Sequence, residues 1–144
     1  MTQKKYLYTF LHDKWNPIRA IKDDNGVPWF VAVDIGKAIE YGKQTHQAVR
    51  KYVREYHKQS LVIPAIYPRK KILLVHPNGV DNLCAYRNSE KADEFQRWIW
   101  YGPIRGCFTD WYKMGDCDES IDCSYTVSSE TYQPAENQNL LERN

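Results

Sequence analysis

The sequence predicts an α+β domain in which short helices pack against a small antiparallel sheet. Segments with the composition of strands precede segments with helical periodicity, and the two types do not alternate regularly. An Asn25-Gly26 pair lies between two strand-like runs, as in a tight hairpin. The chain has 144 residues, the size of one domain. We therefore expect a domain over residues 1–106 and an extension over residues 107–144 that is partly disordered or docked.

Strand-like segments are rich in aromatic and β-branched residues or alternate apolar with polar residues: 6–11, 18–22, 27–31, 61–63 and 71–75. The second and third form the hairpin, and we expect the last two to pair antiparallel. Pro28 must lie on an edge strand or among the first residues of its strand, because proline donates no ladder hydrogen bond. Trp29 and Phe30 are then expected on opposite faces of the sheet.

Apolar residues recur at helical spacing in four segments: 34–40, 45–56, 77–87 and 89–101. Asp34 is expected to cap or begin the first helix, Thr45 and Ser89 to cap the second and fourth, and Gly102-Pro103 to end the last. The short glycine-containing turn between the first two helices predicts a unit similar to a helix-turn-helix. Such pairs also occur in many folds that bind no DNA.

The formal net charge of +2 hides an uneven distribution. Residues 1–106 hold 18 Lys and Arg against 10 Asp and Glu, whereas residues 107–144 hold two against eight. The basic body can attract polyanions such as nucleic acid, and the acidic extension can attract cationic partners, fold back over the body or stay solvated. Phe108, Trp111 and Tyr112 could pin its beginning to the body. No apolar run is long enough for a membrane and no signal region follows Met1-Thr2, so we expect a soluble cytoplasmic protein.

Signatures of catalysis and of metal binding are missing from the sequence. The glycine positions fit no GxGxxG or phosphate-binding loop, and no HExxH occurs. Cys84, Cys107, Cys117 and Cys123 form no CxxC pair, and we interpret them as ordinary thiols, although two of the last three could close a loop in an oxidising compartment. We therefore expect no enzyme activity, metal or cofactor. The sequence leaves open a site that assembles only in three dimensions.

The strongest binding signal is cationic and lies between residues 43 and 58. Its candidate nucleic-acid-binding residues are Lys43, Gln44, Thr45, His46, Gln47, Arg50, Lys51, Arg54 and Lys58. On one continuous helix, His46, Arg50 and Arg54 form a strip opposite the apolar stripe. If that helix enters a major groove, its first residues and Arg50 meet base edges and the later cations hold phosphates. The alternative is a solvated charged helix face that binds nothing.

Further cations and aromatic residues each have two interpretations. Arg69, Lys70 and Lys71 lie at the connection between two strands, where they are candidate secondary phosphate contacts or a charged edge that prevents strand aggregation. Trp98 belongs to an apolar stripe and is expected in the core. Trp100 could stack on the bases of single-stranded nucleic acid.

Two spaced blocks resemble the BRO-N domain of phage antirepressors and baculovirus BRO proteins. The likeness is carried by residues 18–35 (IRAIKDDNGVPWFVAVDI), by Ala38-Ile39-Glu40-Tyr41, by Gly79-Val80 and Leu83, and by residues 92–99 (ADEFQRWI). It extends over residues 6–105. Asp81 departs from the pattern, because the family tends to have an aromatic residue there, and the acidic extension stands in place of a recognisable second domain.

The resemblance implies an α+β DNA-binding module of phages, prophages and large DNA viruses, and an antirepressor-like regulator of transcription. Double-stranded DNA is then the expected partner, a repressor or another host or phage protein is a further candidate, and self-association stays open. The alternative is an antirepressor or host-factor inhibitor that binds a protein through its acidic extension and never binds DNA.

Overall fold

The computed structural model describes the backbone of residues 5–108 and 124–132 and the side chains of residues 7–108. Within this part of the chain the strands are β1 (Lys5–Leu11), β2 (Ile18–Lys22), β3 (Pro28–Val31), β4 (Lys58–Val62), β5 (Lys71–Val75) and β6 (Ser124–Tyr132). They form one sheet in the order β4-β5-β3-β2-β1-β6, and all neighbouring strands run antiparallel. The predicted α+β class with an antiparallel sheet is therefore confirmed.

The helices of the described residues are α1 (Ala32–Ala38), α2 (Thr45–Tyr52), α3 (Pro77–Arg87), α4 (Glu90–Ile99) and α5 (Arg105–Cys107). Short 3₁₀ turns over Gly42–Gln44 and Glu55–His57 flank α2, and a π-helical turn over Trp100–Ile104 joins α4 to α5. Ser89 caps α4 as predicted, because its Oγ accepts a hydrogen bond from the backbone N–H of Ala92 at 3.1 Å.

The predicted end of the last helix is wrong. Regular α-helix stops at Ile99, but the chain stays helical to Cys107, with Gly102 and Pro103 inside the π-helical turn. In a regular α-helix the proline ring clashes with the carbonyl four residues earlier, and the wider π-helical turn relieves that clash. The continued helix positions Phe108 in the core, where this residue is 1% exposed.

Phe108 attaches the beginning of the C-terminal extension to the domain, as predicted. Its ring packs edge-on against three others, those of Tyr8, Phe10 and Phe30, at centroid distances of 5.0, 6.0 and 6.5 Å. Trp111 and Tyr112, which were expected to share this role, lie outside the described residues. Removal of the extension from residue 108 onward would therefore open the core.

The hairpin predicted at Asn25-Gly26 is confirmed, and Asp23 organises it. Gly26 has φ +82°, a conformation that glycine adopts without strain. Asp23 Oδ1 accepts the backbone N–H groups of Asn25 and Val27, and Asp23 Oδ2 accepts the indole N–H of Trp29. One carboxylate thus ties the turn to the strand that follows it.

The sheet carries apolar side chains on both faces. Phe30 belongs to the larger core, which lies between the sheet and α1–α4, and Trp29 belongs to a second cluster, so their predicted opposite orientation is confirmed. Pro28 is the first residue of β3, the position in an interior strand that its missing N–H allows. The connection between β4 and β5 contributes Ile63 and Ile66 to the second cluster.

A bidentate ion pair fixes the junction between β3 and α1. Asp34 is 4% exposed, and its carboxylate accepts hydrogen bonds from Nε, Nη2 and the backbone N–H of Arg19 at 2.8, 2.9 and 3.0 Å. These hydrogen bonds and the charge of Asp34 raise the pKa of Arg19, against the effect of burial. Asp34 neither caps nor begins α1, contrary to expectation: the helix begins at Ala32, and the carboxylate binds β2 instead.

We predict that Asp34→Asn lowers the free energy of unfolding by about 2 to 3 kcal/mol, because it leaves a half-buried guanidinium without its charged partner. Urea unfolding followed by circular dichroism measures the change. Asp13→Asn, at an exposed position, is the matched control and should stay within about 0.5 kcal/mol of the parent protein. A loss as small as that of the control would contradict a structural role for the pair.

Two stacked histidines join the beginning of β4 to the beginning of α3. The rings of His57 and His76 lie 4.7 Å apart, and the backbone N–H of His76 donates to the carbonyl of His57 at 2.8 Å. His76 Nδ1 also accepts the backbone N–H of Asn78, so this side chain caps α3. Burial and the neighbouring His57 lower the pKa of His76 to about 4, although Asp23 opposes the shift. Burial and the charge of Arg54 lower the pKa of His57.

We predict that the domain loses stability as the pH falls from 6.5 to about 4. Because the pKa of His76 is lower in the folded state than in the unfolded state, the unfolded chain binds protons first and acid favours it. In His76→Asn the asparagine side chain keeps a hydrogen-bond acceptor at the N-cap of α3 but does not titrate. The free energy of unfolding of this variant should therefore vary less over this pH range. Urea midpoints at pH 7 and 4.5 measure the effect. His46→Asn, at an exposed position, is the control and should lose as much stability between pH 7 and 4.5 as the parent protein. An equally large loss in His76→Asn would contradict the mechanism.

Candidate nucleic-acid interface

The predicted cationic segment forms an exposed side of α2 and of the 3₁₀ turn before it. Ala48 and Val49 turn this helix towards the core, where both are buried. Six of the predicted residues are exposed on this element, namely Lys43, Gln44, His46, Gln47, Arg50 and Lys51. The structure therefore brings the polar and cationic side chains of α2 together on one solvent-facing side.

Thr45 is not part of this exposed side, and its prediction as a DNA contact is wrong. It is 1% exposed, and its Oγ1 donates a hydrogen bond to the carbonyl of Gly42 at 2.6 Å. It also packs against α1, where a Cβ on Gly36 would lie 1.8 Å from Thr45 Oγ1. Thr45 thus holds the 3₁₀ turn and α2 against α1, and its hydroxyl does not cap α2.

The predicted strip of His46, Arg50 and Arg54 along one helix is also wrong, because α2 ends at Tyr52. Val53 is extended and packs on α3, where a Cβ on Gly79 would lie 3.0 Å from Val53 Cγ1. Because β4 begins at Lys58, a helix continuing to residue 56 would leave only residue 57 between the helix and the strand.

Arg54 and Lys58 consequently have separate surroundings. Arg54 is exposed after the end of α2, and its Nη1 donates to Tyr56 Oη at 3.1 Å. Lys58 is the first residue of β4; its side chain is 14% exposed, and its Nζ lies 3.4 Å from Oε1 of the exposed Glu55. The side chain of Lys58 is therefore more deeply buried than those of the exposed cations on α2.

A depression of about 450 Å³ separates α2 from strands β4 and β5. It is lined by side chains of both elements and of the turn between them: His46, Val49, Arg50, Glu55, Lys58, Ser60, Lys71 and Leu73. Lys58 and Ser60 lie opposite Val75 and Leu73 across the β4–β5 ladder, and Lys71 lies two residues from Leu73. Since side chains alternate across a strand, these positions share the face on which α2 packs.

A second depression, of about 330 Å³, adjoins the first one. It is lined by Val31, Val33, His46, Tyr67, Lys70, Lys71, Ile72 and Leu73. His46, Lys71 and Leu73 line both. The two cationic segments that the sequence identified separately, on α2 and at residues 69–71, therefore meet on one side of the molecule, here termed the cationic face.

Few carboxylates neutralise the cationic face. Apart from the ion pair of Lys58 with Glu55, the side chains described for residues 7–108 place no Asp or Glu in an ion pair with Arg50, Lys70 or Lys71. Lys70 Nζ lies 5.8 Å from the ring centroid of Tyr67, a cation–π contact that leaves its charge unneutralised.

Sequence reasoning missed three side chains of this face. Tyr67 is 54% exposed, Val33 is 36% exposed, and Ser60 is also exposed. The proline-flanked position of Tyr67 beside a basic cluster was a usable signal. The sequence around Val33 and Ser60 contains no such signal, because their position on this face depends on the register of the sheet.

The tryptophans at the end of α4 and in the turn after it have structural contacts. Trp98 is half buried and packs on the larger core, as predicted. Trp100 Nε1 and Gln96 Nε2 both donate to Oδ1 of Asp81, the residue that departs from the family pattern. Burial raises the pKa of Asp81, and the two hydrogen bonds oppose that shift.

Among the described residues, no group of three or more His, Cys, Asp or Glu side chains is arranged to hold a metal ion. The helices described here are all too short or too polar to cross a lipid bilayer.

A comparison with models of protein families identifies the family of this chain. A model described as "BRO family, N-terminal domain" matches residues 17–101, from the beginning of β2 to the π-helical turn after α4. The match includes α2, β4, β5 and hence the whole cationic face. Comparisons with curated proteins and with solved structures gave no significant match. Since the family match spans more than half of the chain, this protein belongs to the BRO family and carries its N-terminal domain.

Proposed function

We propose that this protein binds double-stranded DNA through the cationic face and acts as an antirepressor-like regulator of transcription in phage or prophage biology. It works in the host cytoplasm by binding and carries out no catalysis. One observation carries the proposal: α2 and the segment 69–71, which are far apart in sequence, converge around His46 and Lys71 on a side of the molecule with few carboxylates.

The dimensions of α2 suit a major groove. An α-helix with its side chains is about 10 to 12 Å across, which fits a major groove about 12 Å wide, and the eight residues of α2 supply about 12 Å of helix to lie along it. Gln44 and Gln47 stand at its N-terminal end, where side chains of groove-binding helices reach base edges, and glutamine can pair with adenine. Arg50, one turn further along, can pair with guanine or hold a phosphate. Lys51 extends the contact along the helix.

The connection between β4 and β5 supplies a second contact. Arg69, Lys70 and Lys71 are exposed, and Lys70 and Lys71 line one depression together with His46 of α2. Phosphates line both edges of a major groove. With α2 in the groove, this basic loop would contact the phosphates along one of those edges. Such backbone contacts position a protein on DNA and supply sequence-independent affinity.

We predict that the logarithm of the association constant for a random duplex falls with the logarithm of the salt concentration at a slope of about −5. This slope is expected if five or six exposed cations contact phosphates. Arg50→Glu should weaken binding about 10- to 100-fold, because it removes a cation and adds a repulsive charge. Fluorescence anisotropy at several salt concentrations measures both. Lys91→Glu, on α4, is the matched control and should lose much less. Affinity that is independent of salt would overturn the proposal.

We predict that neutralising the acidic extension leaves duplex affinity unchanged or raises it. The variant Asp116→Asn, Asp118→Asn, Glu119→Gln, Asp122→Asn removes four negative charges and keeps Phe108, which a truncation would take from the core. Anisotropy at low salt compares it with the parent. A clear loss of DNA affinity in this variant would mean that the extension contributes to the contact, contrary to the proposal. Absence of duplex binding in both proteins, with a protein partner captured by the parent but not by the variant, would favour the protein-binding alternative.

A further inference from the structure

The depression between α2 and strands β4 and β5 has the size of a small-ligand site. Its volume of about 450 Å³ falls within the range of roughly 300 to 1,000 Å³ that is usual for small-molecule sites. Hydrogen-bond donors converge on it from three elements: Arg50 from α2, Lys58 and Ser60 from β4, and Lys71 from β5. Lys58 is largely buried and lies inside the depression, below the exposed cations of α2.

Lys58 is the residue that distinguishes this depression from a flat cationic patch. Only 14% of its side chain is exposed, although its partner Glu55 is 92% exposed and stands 3.4 Å away. An ammonium at this depth can meet an anion that enters the depression but not one that passes over it. Arg50, Lys58 and Lys71 against Glu55 leave a formal charge of +2 around the space.

We infer that this depression binds a phosphomonoester, and specifically the 5′-phosphate at the end of a DNA strand. A phosphomonoester carries a charge of about −2 at pH 7 and three acceptor oxygens, which matches both the net charge and donors arriving from three sides. An internal phosphodiester carries one negative charge and is held on both sides by sugars, so it cannot enter as deeply. The inference rests on the proposed function only in taking DNA as the source of the phosphate.

The adjoining depression is suited to the nucleoside attached to that phosphate. Val33, Ile72 and Tyr67 give it apolar and aromatic walls, and His46 and Lys71 line both spaces. A phosphate beside Arg50 and Lys58 would thus have its sugar and base directed along an apolar surface. Few polar groups beside a mainly apolar wall are typical of small-ligand sites.

Three duplexes of one sequence test the inference: a linear form with 5′-phosphates, a linear form with 5′-hydroxyls, and a closed dumbbell without ends. With the full-length chain at one salt concentration, anisotropy should show the 5′-phosphorylated form bound about tenfold more tightly than the 5′-hydroxyl form, since charge-assisted hydrogen bonds are gained. Inorganic phosphate and a deoxynucleoside 5′-monophosphate are added as competitors. Competition by either compound without any preference among the duplexes supports the phosphomonoester site but assigns it to a free ligand.

Variants separate this site from the rest of the cationic face. Lys58→Met keeps the apolar stem of the side chain and should abolish the difference between the two linear duplexes, as should Lys71→Met at an exposed position that carries little risk to folding. Lys91→Met on α4 should preserve the tenfold ratio. Equal binding of both linear duplexes with no competition by phosphate overturns the inference, while binding of the dumbbell would still support the proposed function. Failure of the dumbbell to bind, with the 5′-phosphate preference intact, would overturn the groove-binding proposal and keep the inference.

Discussion

The pairing of β4 with β5 is the constraint on which the cationic face depends. Residues 58–62 pair with residues 71–75 in one antiparallel register, so the chain must leave α2 early enough to enter the sheet at residue 58. Val53 makes that exit in an extended conformation. The same register directs Lys58 and Lys71 to the side of the sheet that faces α2. A slip of one residue would turn the side chains of β4 to the opposite face and remove Lys58 from the space beside α2.

The face is therefore a product of tertiary structure and not of a helix pattern. A continuous helix would have aligned Arg50 with Arg54 and displayed one row of charges. The observed turn instead separates them, buries most of Lys58 and replaces the lost row with Lys70 and Lys71 from another element. A row of charges suits a long groove, whereas cations that surround a depression suit an anion that projects into it. The short helix and the strand pair together provide both arrangements.

The sequence predicts the local features of this protein better than their assembly. The hairpin at Asn25-Gly26 and the cap at Ser89 follow from two or three neighbouring residues, so they were accessible from sequence. The end of α2 was not, because Tyr56 continues the apolar periodicity, whereas the helix ends at Tyr52 and the chain enters β4 at Lys58. Thr45 was mistaken for a surface cap because nothing local reveals Gly36 beside it. Candidate site residues could thus be named from sequence, but their grouping required the strand register.

The position of the acidic extension limits how strongly it can act on the cationic face. The part that the structure describes, β6, pairs with β1 at one edge of the sheet, and β4 forms the other edge. Five strand intervals of about 4.8 Å separate the two edges by about 24 Å. This distance is about three Debye lengths at physiological ionic strength, where the charge of β6 is largely screened at the cationic face. Competition between the extension and DNA through β6 alone is therefore a low-salt effect, and any competition that persists at physiological salt must come from the acidic residues outside that strand.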